Sequence, residues 1–574
     1  MNQRVLKVFA VVVLVLGLAL FCCAQTKKLT ILHTNDTHSA MVPFETGSIP
    51  AVGPAPKQTA GFGAGLWNVW HFPFNQDYAG IARMATLIKT LRAKDKNVLA
   101  LNAGDVFVGS FEFNKFLGYP ELKIMENLYD VMELGNHEFD LGIGTLAGIL
   151  SGQIAGASPI NLPVLCANVD FTGTPLEGMV PSSIVRTVGG VTVGIFGLVT
   201  QEPQNYSDDV NKRFPHPYED PNNPGNTLWA YAGGLVQGLK EQGCNVVICL
   251  SHLGTSLDIV LADLVPGIDV IIGGHSHDAF SQPMIENGKI IVQAGEFGKY
   301  LGELKLNVAD AGGVTLDSWM LHRVEGRIKE DPQVRGMVNK VKSGVVSDPR
   351  FGPVYSQHIA LALRDILKSW PANGQNRDTA LGNLVTDAFR NRLTNAGFQV
   401  DLALDVLGYL GANIPAGKVV GNTILRAVPY GYDPESGLGF KVVVAPLPGY
   451  LLLGGLEYAA DMVTQTTDLA IQASGITYTY DSSKPPVQNL GEISRLDPAS
   501  VMVGGAPVDP GGLYYVAMSE QVFNFLNALT GGGLTSIPTG LFEYNIVRDY
   551  MRSLRFVQYK SEGRVKDTAP APVK

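Results

Sequence analysis

Five cysteines in 574 residues are too few for a disulfide-stapled scaffold, and two of them, Cys22 and Cys23, fall in the amino-terminal apolar stretch. The other three, Cys166, Cys244 and Cys249, cannot all pair within one chain and show no zinc-finger spacing, so they read as small buried apolar residues. Charge is also sparse: Asp, Glu, Lys and Arg make up 17% of the chain, with 43 basic against 52 acidic side chains and a net charge of -9. That balance excludes a surface built for a nucleic-acid polymer or an anionic bilayer, since both are held by clustered Lys and Arg. An anionic small molecule would have to be attracted locally. The apolar run from Val8 to Phe21 is shorter than the roughly 20 residues a membrane-spanning helix needs, and no internal repeat is visible.

Arg4 and Lys7 precede that run, and small and sulfur-bearing residues follow it, which is the pattern of an export signal. Residues 1–27 are therefore taken as a signal peptide, and the mature protein is expected to be periplasmic or at the cell surface. Cleavage after Ala24 and lipid attachment at Cys22 or Cys23 both remain open; a lipid anchor would be its one contact with a membrane.

The length exceeds what one core accommodates, so two domains are expected. From 28 to 325, short apolar β-type runs such as "LTILHT", "NVLALN", "PVLCANV", "VTVGIFGL", "NVVICL" and "DVIIGG" alternate with amphipathic stretches, the pattern of an α/β sandwich. Ile81, Met84, Ala85 and Ile88 recur at helical spacing. Residues 41–78, rich in Gly, Pro and aromatics, read as an inserted surface loop. Asp331-Pro332 is an N-cap followed by a first-turn proline, so 326–350 should hold a connecting helix through about Lys342. A second domain over 351–560 should carry a helix from near Asn383 to Gly397 and the strands "FKVVVAPL", "ITYTYD" and "YYVAMS", leaving 561–574 as a disordered tail.

Metal-capable side chains cluster by position. Asp36 and His38 follow the first strand, Asp105 the second, His252 a third, and His275 and His277 a fourth, with Asn136 and His137 after another β-type run. Carboxyl ends of strands are where sites assemble in open α/β sheets. Taken singly these residues carry little weight, but five of the ten histidines fall at such ends beside acids, amides and glycines. The remaining ones, His33, His71, His216, His322 and His358, match no pattern and are read as structural.

The strings "NDTH", "AGD", "GNHEFD", "SHLG" and "GGHSHD", in this order, resemble the calcineurin-like metallophosphoesterases and specifically the 5'-nucleotidase family; "ALGNLVTDAF" resembles that family's carboxy-terminal domain. The resemblance implies an α/β fold, a four-layer α/β/β/α sandwich followed by a smaller α+β domain. It implies two divalent cations, one held by Asp36, His38 and His277, the other by Asn136, His252 and His275, with Asp105 shared. Oxygen and nitrogen donors without thiolate suit Zn, Mn, Co or Fe. The implied reaction is in-line attack of hydroxide on a phosphoester, with Asn136 and a protonated His137, oriented by Asp140, stabilising the phosphoryl charge.

For the substrate the resemblance is uneven. Arg377 stands where the family carries a phosphate-contacting Arg, and Tyr430 where it carries a base-stacking Phe. The family's "NGGGIR" corresponds to "VLGYLG", so its Asn becomes Val406 and its Arg becomes Gly411, and the acid of its "GGDGY" becomes Gly533. Phe523 and Phe525 lie near, but out of register with, the second stacking aromatic. A nucleotide remains the expected substrate, cyclic nucleotides and dinucleotides included. The alternatives are hydrolysis of a sulfate-thiol ester on the same metals, and a surface binding protein that has dropped catalysis. The connecting helix is where the resemblance implies rotation of the second domain.

Overall fold

Strands β1 (Thr26–Thr34) and β2 (Val98–Asn102) set the layering: Leu29, Ile31, Leu99 and Leu101 face one side and Leu32, Val98 and Ala100 the other, and both sides are buried. A strand covered on both faces needs a second sheet on one side and helices on the other. The chain supplies them through β3 (Val131–Glu133), β4 (Val164–Leu165), β5 (Ser183–Val188), β6 (Val191–Val199), β7 (Val246–His252), β8 (Val270–Gly273), β9 (Met284–Glu286), β10 (Lys289–Val292), β11 (Tyr300–Ala309) and β12 (Val314–Arg323). The two six-stranded sheets run β12-β11-β1-β2-β3-β4 and β5-β6-β7-β8-β10-β9; the first is antiparallel at its β12-β11-β1 edge and parallel from β1 to β4, the second parallel in the middle and antiparallel at both edges. Their inner faces meet through Leu29, Ile31, Val193, Ile195, Ile248 and Ile272. Helices Ile81–Lys94 and Gly142–Leu150 cover the first sheet, and Leu228–Glu241 and Thr255–Leu264 the second. This is the four-layer α/β/β/α sandwich.

The computed structural model describes residues 26–44, 77–154, 156–202, 205–309, 313–371, 374–487 and 491–570. Residues 1–25, with Cys22 and Cys23, the stretch 45–76, and His71 within it lie outside the described residues. Among the described residues no helix is long and apolar enough to cross a membrane, and Cys166, Cys244 and Cys249 are free and buried.

Asp331 caps helix Pro332–Ser347 by accepting from the backbone N–H of Gln333 and Val334, and the helix runs past Lys342 to Ser347. Val334, Val338 and Val341 pack into the first domain and Val345 into the second, so one apolar stripe serves both. Beyond it, a five-stranded sheet, ordered Ile471–Ser474, Leu402–Val406, Leu513–Ser519, Lys441–Pro448 and Ile537–Phe542, is covered by helix Ala380–Asn395. That helix begins before Asn383 because Thr379 is its cap, its hydroxyl accepting from Gly382 N–H.

Two expectations are corrected. The tail is ordered as far as residue 570, because Val565–Asp567 pairs in parallel with Ile476–Tyr480 and Asp567 is buried. The ends of the inserted loop are not surface: Met41, Val42, Phe44 and Tyr78 are buried, and the rings of Phe44 and Tyr78 stack 4.9 Å apart. Arg426 of the second domain closes over this point, donating to the carbonyls of Val42 (2.6 Å) and Pro43 (3.3 Å) with its guanidinium 3.9 Å from the Phe44 ring centre. A cation over an aromatic face, desolvated on both sides, ties the two domains together here.

Candidate metal centre

Strands β1, β2, β3, β7 and β8 end at Thr34, Asn102, Glu133, His252 and Gly273, so the loops carrying Asp36, Asp105, Asn136, His252 and His275 leave the same edge of the sandwich. Five of the candidate ligands have left-handed backbone: φ is 47° at Asp36, 45° at His38, 52° at Asp105, 71° at His275 and 59° at His277. Side chains rarely adopt this region, at a cost of about 1 to 3 kcal/mol each, unless the surroundings impose it. Here they do. Asp36 N–H donates to Gly104 O (3.0 Å), His38 N–H to Asp105 O (3.0 Å), and His275 N–H to the Asp36 carboxylate (3.0 Å). Gly104 permits the approach, since a Cβ there would lie 2.6 Å from Gly135 N and 2.8 Å from His252 Nδ1.

The side chains converge into three overlapping groups whose donor atoms lie within 4.8 Å of one another: Asp36, His38 and His277; His38, Asp105 and His137; Asp105, His252 and His275. Asp105 belongs to two of them. His252 Nε2 is 3.0 Å from Asp105 Oδ2, His277 Nε2 is 3.3 Å from Asp36 Oδ1, and the Nε2 atoms of His38 and His277 face each other at 3.1 Å. Asn136 precedes His137, whose N–H donates to Asp105 Oδ1 at 3.0 Å, and Asn136 Oδ1 is buried with no hydrogen bond. Outward-facing Nδ1 atoms are engaged: His38 with Phe107 O (3.3 Å), His252 with Ala103 O (2.6 Å) and His277 with Glu296 Oε2 (2.8 Å). Donation from Nδ1 leaves each Nε2 lone pair pointing inward, the orientation metal-bound imidazoles have. His275 turns Nε2 toward Glu202 Oε2 at 3.4 Å instead.

The carboxylates and imidazoles of the cluster balance one another's charge. Burial and then the charge of His277 bring the His38 imidazole down to about 3. Burial would also lower His252 and His277, but Asp105 raises the first to about 9 and Asp36 the second to about 10. His137 likewise rises to about 9 against burial, through Asp140 and then Asp105, and its Nδ1 is 2.8 Å from Asp140 Oδ2. Buried imidazoles and carboxylates packed this densely suit a divalent cation.

Arg377 is not brought to this centre. Its guanidinium pairs with Asp567 (3.3 Å), donates to Gly374 O and Asn376 O, and lies over the Trp370 ring, because the ordered tail supplies a buried carboxylate for it. Tyr430 is brought there: its ring stacks on His137 at 5.2 Å and meets His38 edge-on at 6.3 Å. Phe523 packs in the second-domain core and Phe525 against Tyr458, whereas the aromatic beside Tyr430 is Tyr409, at 6.4 Å, with Phe440 behind it at 5.5 Å from Tyr409. Sequence reasoning also missed three acids. Glu296 and Glu202 contact His277 and His275 of the cluster, and Glu138 accepts backbone N–H bonds from Asp105, Val106, Phe107 and Gly135, joining two of its loops. Only Glu138 carried a signal, its place inside "GNHEFD".

Residues 29–279 match the family model for calcineurin-like phosphoesterases, and residues 365–526 the model for the 5'-nucleotidase C-terminal domain. The chain is 27% identical to the 5'-nucleotidase of Homo sapiens over 99% of this chain and 95% of that one. A 5'-nucleotidase precursor of Thermus thermophilus superposes with a TM-score of 0.76 at 28% identity, over 95% of this chain and 100% of that one. Sulfate thiohydrolase SoxB, from the same organism, shares the fold with a TM-score of 0.70 at 19% identity, over 94% and 96% of the two chains. With a phosphoesterase domain, its donor cluster at the sheet edge and the matching carboxy-terminal domain on one chain, this protein belongs to the 5'-nucleotidase family of metal-dependent hydrolases.

Proposed function

We propose that the protein is an exported phosphohydrolase that uses two divalent cations to release phosphate from nucleotides. The observation that carries this is the place of Asp105 Oδ2 between the two donor sets, 4.0 Å from His38 Nε2 and 3.0 Å from His252 Nε2, because a carboxylate within reach of both sets is what a two-cation site needs. Asp36, His38 and His277 would hold one, Asn136, His252 and His275 the other. Bound there, the cations would lower the pKa of water from about 15.7 to about 7 and polarise the phosphoryl oxygens.

The chain's own residues do the rest. His137 keeps its proton because Asp140 holds Nδ1, so its other nitrogen donates to a phosphoryl oxygen as negative charge builds there. Asn136 fixes the second donor set while its amide stays close to the same oxygen. Tyr430 offers a stacking face beside His137.

A second reading has one observation in its favour. Arg377 is committed to Asp567, and Gly411 stands where the family carries an Arg, so the cleft has lost cations that a nucleotide phosphate would use. That leaves room for a sulfate-thiol ester. Loss of catalysis is disfavoured by the complete donor set. Purified, metal-loaded protein assayed on nucleoside monophosphates, cyclic nucleotides, dinucleotides, simple phosphomonoesters and a sulfate-thiol conjugate tests all three. The proposal expects inorganic phosphate, fastest from a nucleotide. Sulfate release without phosphate, or no release from any, sinks it.

A further inference from the structure

Residues 293–299, between β10 and β11, lie behind the centre and contribute nothing to the donor set. Asn35 fastens this turn, its side-chain N–H donating to Gly295 O (2.6 Å) and its Oδ1 accepting from Ala294 N–H (2.8 Å). Phe297 N–H donates to Asp36 O (2.7 Å), and the Phe297 ring packs 5.6 Å from His38 and 6.1 Å from His277. The turn is therefore registered against both ligand loops.

Glu296 sits within that frame. Oε2 accepts from His277 Nδ1–H at 2.8 Å, and Oε1 accepts from Lys299 Nζ at 2.5 Å. His38 and His252 rest on neutral backbone carbonyls, whereas His277 rests on a carboxylate. A charged acceptor fixes the tautomer more firmly and makes the opposite nitrogen a better donor to a cation. Lys299 occupies the second oxygen, which keeps Glu296 from swinging inward to become a ligand itself.

We infer that Glu296, braced by Lys299, is a positioning residue for His277 that sets the affinity of one of the two cation sites. The inference rests on the proposed role of His277 as a ligand. Wild type, Glu296→Gln, Glu296→Asp and Lys299→Met, each stripped of metal and titrated with Zn(II) and Co(II) against a competing chelator, test it. Co(II) absorption and metal-free Tm are recorded in parallel.

Wild type should bind two cations. Glu296→Gln should bind one as tightly as wild type and the other 10- to 100-fold more weakly, the range for loss of such partners. Its Co(II) spectrum should change, its metal-free Tm should not, and activity should return with excess metal. Lys299→Met should fall between the two, and Glu296→Asp should recover part of the lost affinity. Wild-type affinity at both sites in Glu296→Gln overturns the inference, as does equal weakening of both sites with a lower metal-free Tm. A wild type that binds fewer than two cations overturns the functional proposal as well, and that result is read before any variant is made.

Discussion

The phenol ring of Tyr430 and the imidazole of His137 lie face to face, their centres 5.2 Å apart and their planes 19° from parallel, although one comes from the second domain and the other from the first. Tyr409 approaches Tyr430 edge-on, its ring centre 6.4 Å away and its plane inclined by 61°. A base would stack on the face that His137 leaves free. Stacking on an aromatic contributes about 1 to 3 kcal/mol, or roughly 5- to 150-fold in affinity. Tyr430→Ala should raise KM for a nucleoside monophosphate by that range, while Tyr430→Phe stays near wild type. KM for glycerol phosphate, which has no ring to stack, should move less than about twofold. Equal losses on both substrates would show that Tyr430 serves His137 and not the base.

Asp105 and His137 should separate metal binding from proton donation. Asp105 is shared by two donor groups, so Asp105→Ala should remove both bound metal and activity. His137→Ala should keep its metal content and lose about 10²- to 10⁴-fold in kcat, the usual contribution of a positioned acid. Equal metal loss in the two variants would make His137 a ligand.

The Asp140 contact gives a pH test with a definite sign. Asp140 is the largest contributor raising His137 to about 9, so removing the carboxylate lowers that value. Activity that needs protonated His137 is present below its pKa and lost above it. Asp140→Asn should therefore move the alkaline limb of kcat/KM to lower pH and leave the acid limb in place. An unshifted alkaline limb would remove His137 from the acid role.

The residues of the donor cluster were legible because each lies at or after the end of a strand whose apolar run is unmistakable, and a strand end fixes a side chain in space as well as in sequence. The partners behind them were not. Glu296 and Glu202 lie in irregular turns, where no periodicity says which way an acid points. Ile81 shares its helical spacing with Met84 and Ala85, yet it is only half-buried while they are buried, because spacing along a helix does not say where the covering layer ends. The tail differs from expectation for another reason. Its charge and prolines describe a disordered segment by composition, but the Arg377–Asp567 pair and the ladder to Ile476–Tyr480 are tertiary, and composition cannot report them.

That ion pair changes what Arg377 should do. Asp567 is 2% exposed and also accepts from the Ser482 backbone and hydroxyl, so Arg377 neutralises a buried, multiply bonded carboxylate. Arg377→Ala should cost about 1.5 to 3 kcal/mol of stability in a denaturant melt, the range for a charged hydrogen bond, and leave KM within about twofold of wild type. A large rise in KM without destabilisation would return Arg377 to the substrate.

His33 predicts a loss of stability in acid. It is fully buried in β1, stacked 5.5 Å from Trp319, and neither ring nitrogen has a hydrogen-bond partner. The space over it exists because β11 places Gly302 opposite, where a Cβ would come within 2.2 Å of His33 Nε2. Burial lowers its pKa from 6.5 to about 3, so between those values the unfolded chain binds a proton that the folded chain refuses. Stability from this site is complete above pH 6.5 and falls as pH drops toward 3. At about pH 4.5 the deficit amounts to roughly 2 to 3 kcal/mol. His33→Leu keeps the pocket filled with an apolar side chain and has no proton to take up. Its unfolding free energy should therefore lose that much less than wild type between pH 7 and pH 4.5, measured by urea melts on the metal-free proteins. Parallel pH dependence in the two proteins would mean that His33 is protonated in the fold, which its surroundings give no means to accommodate.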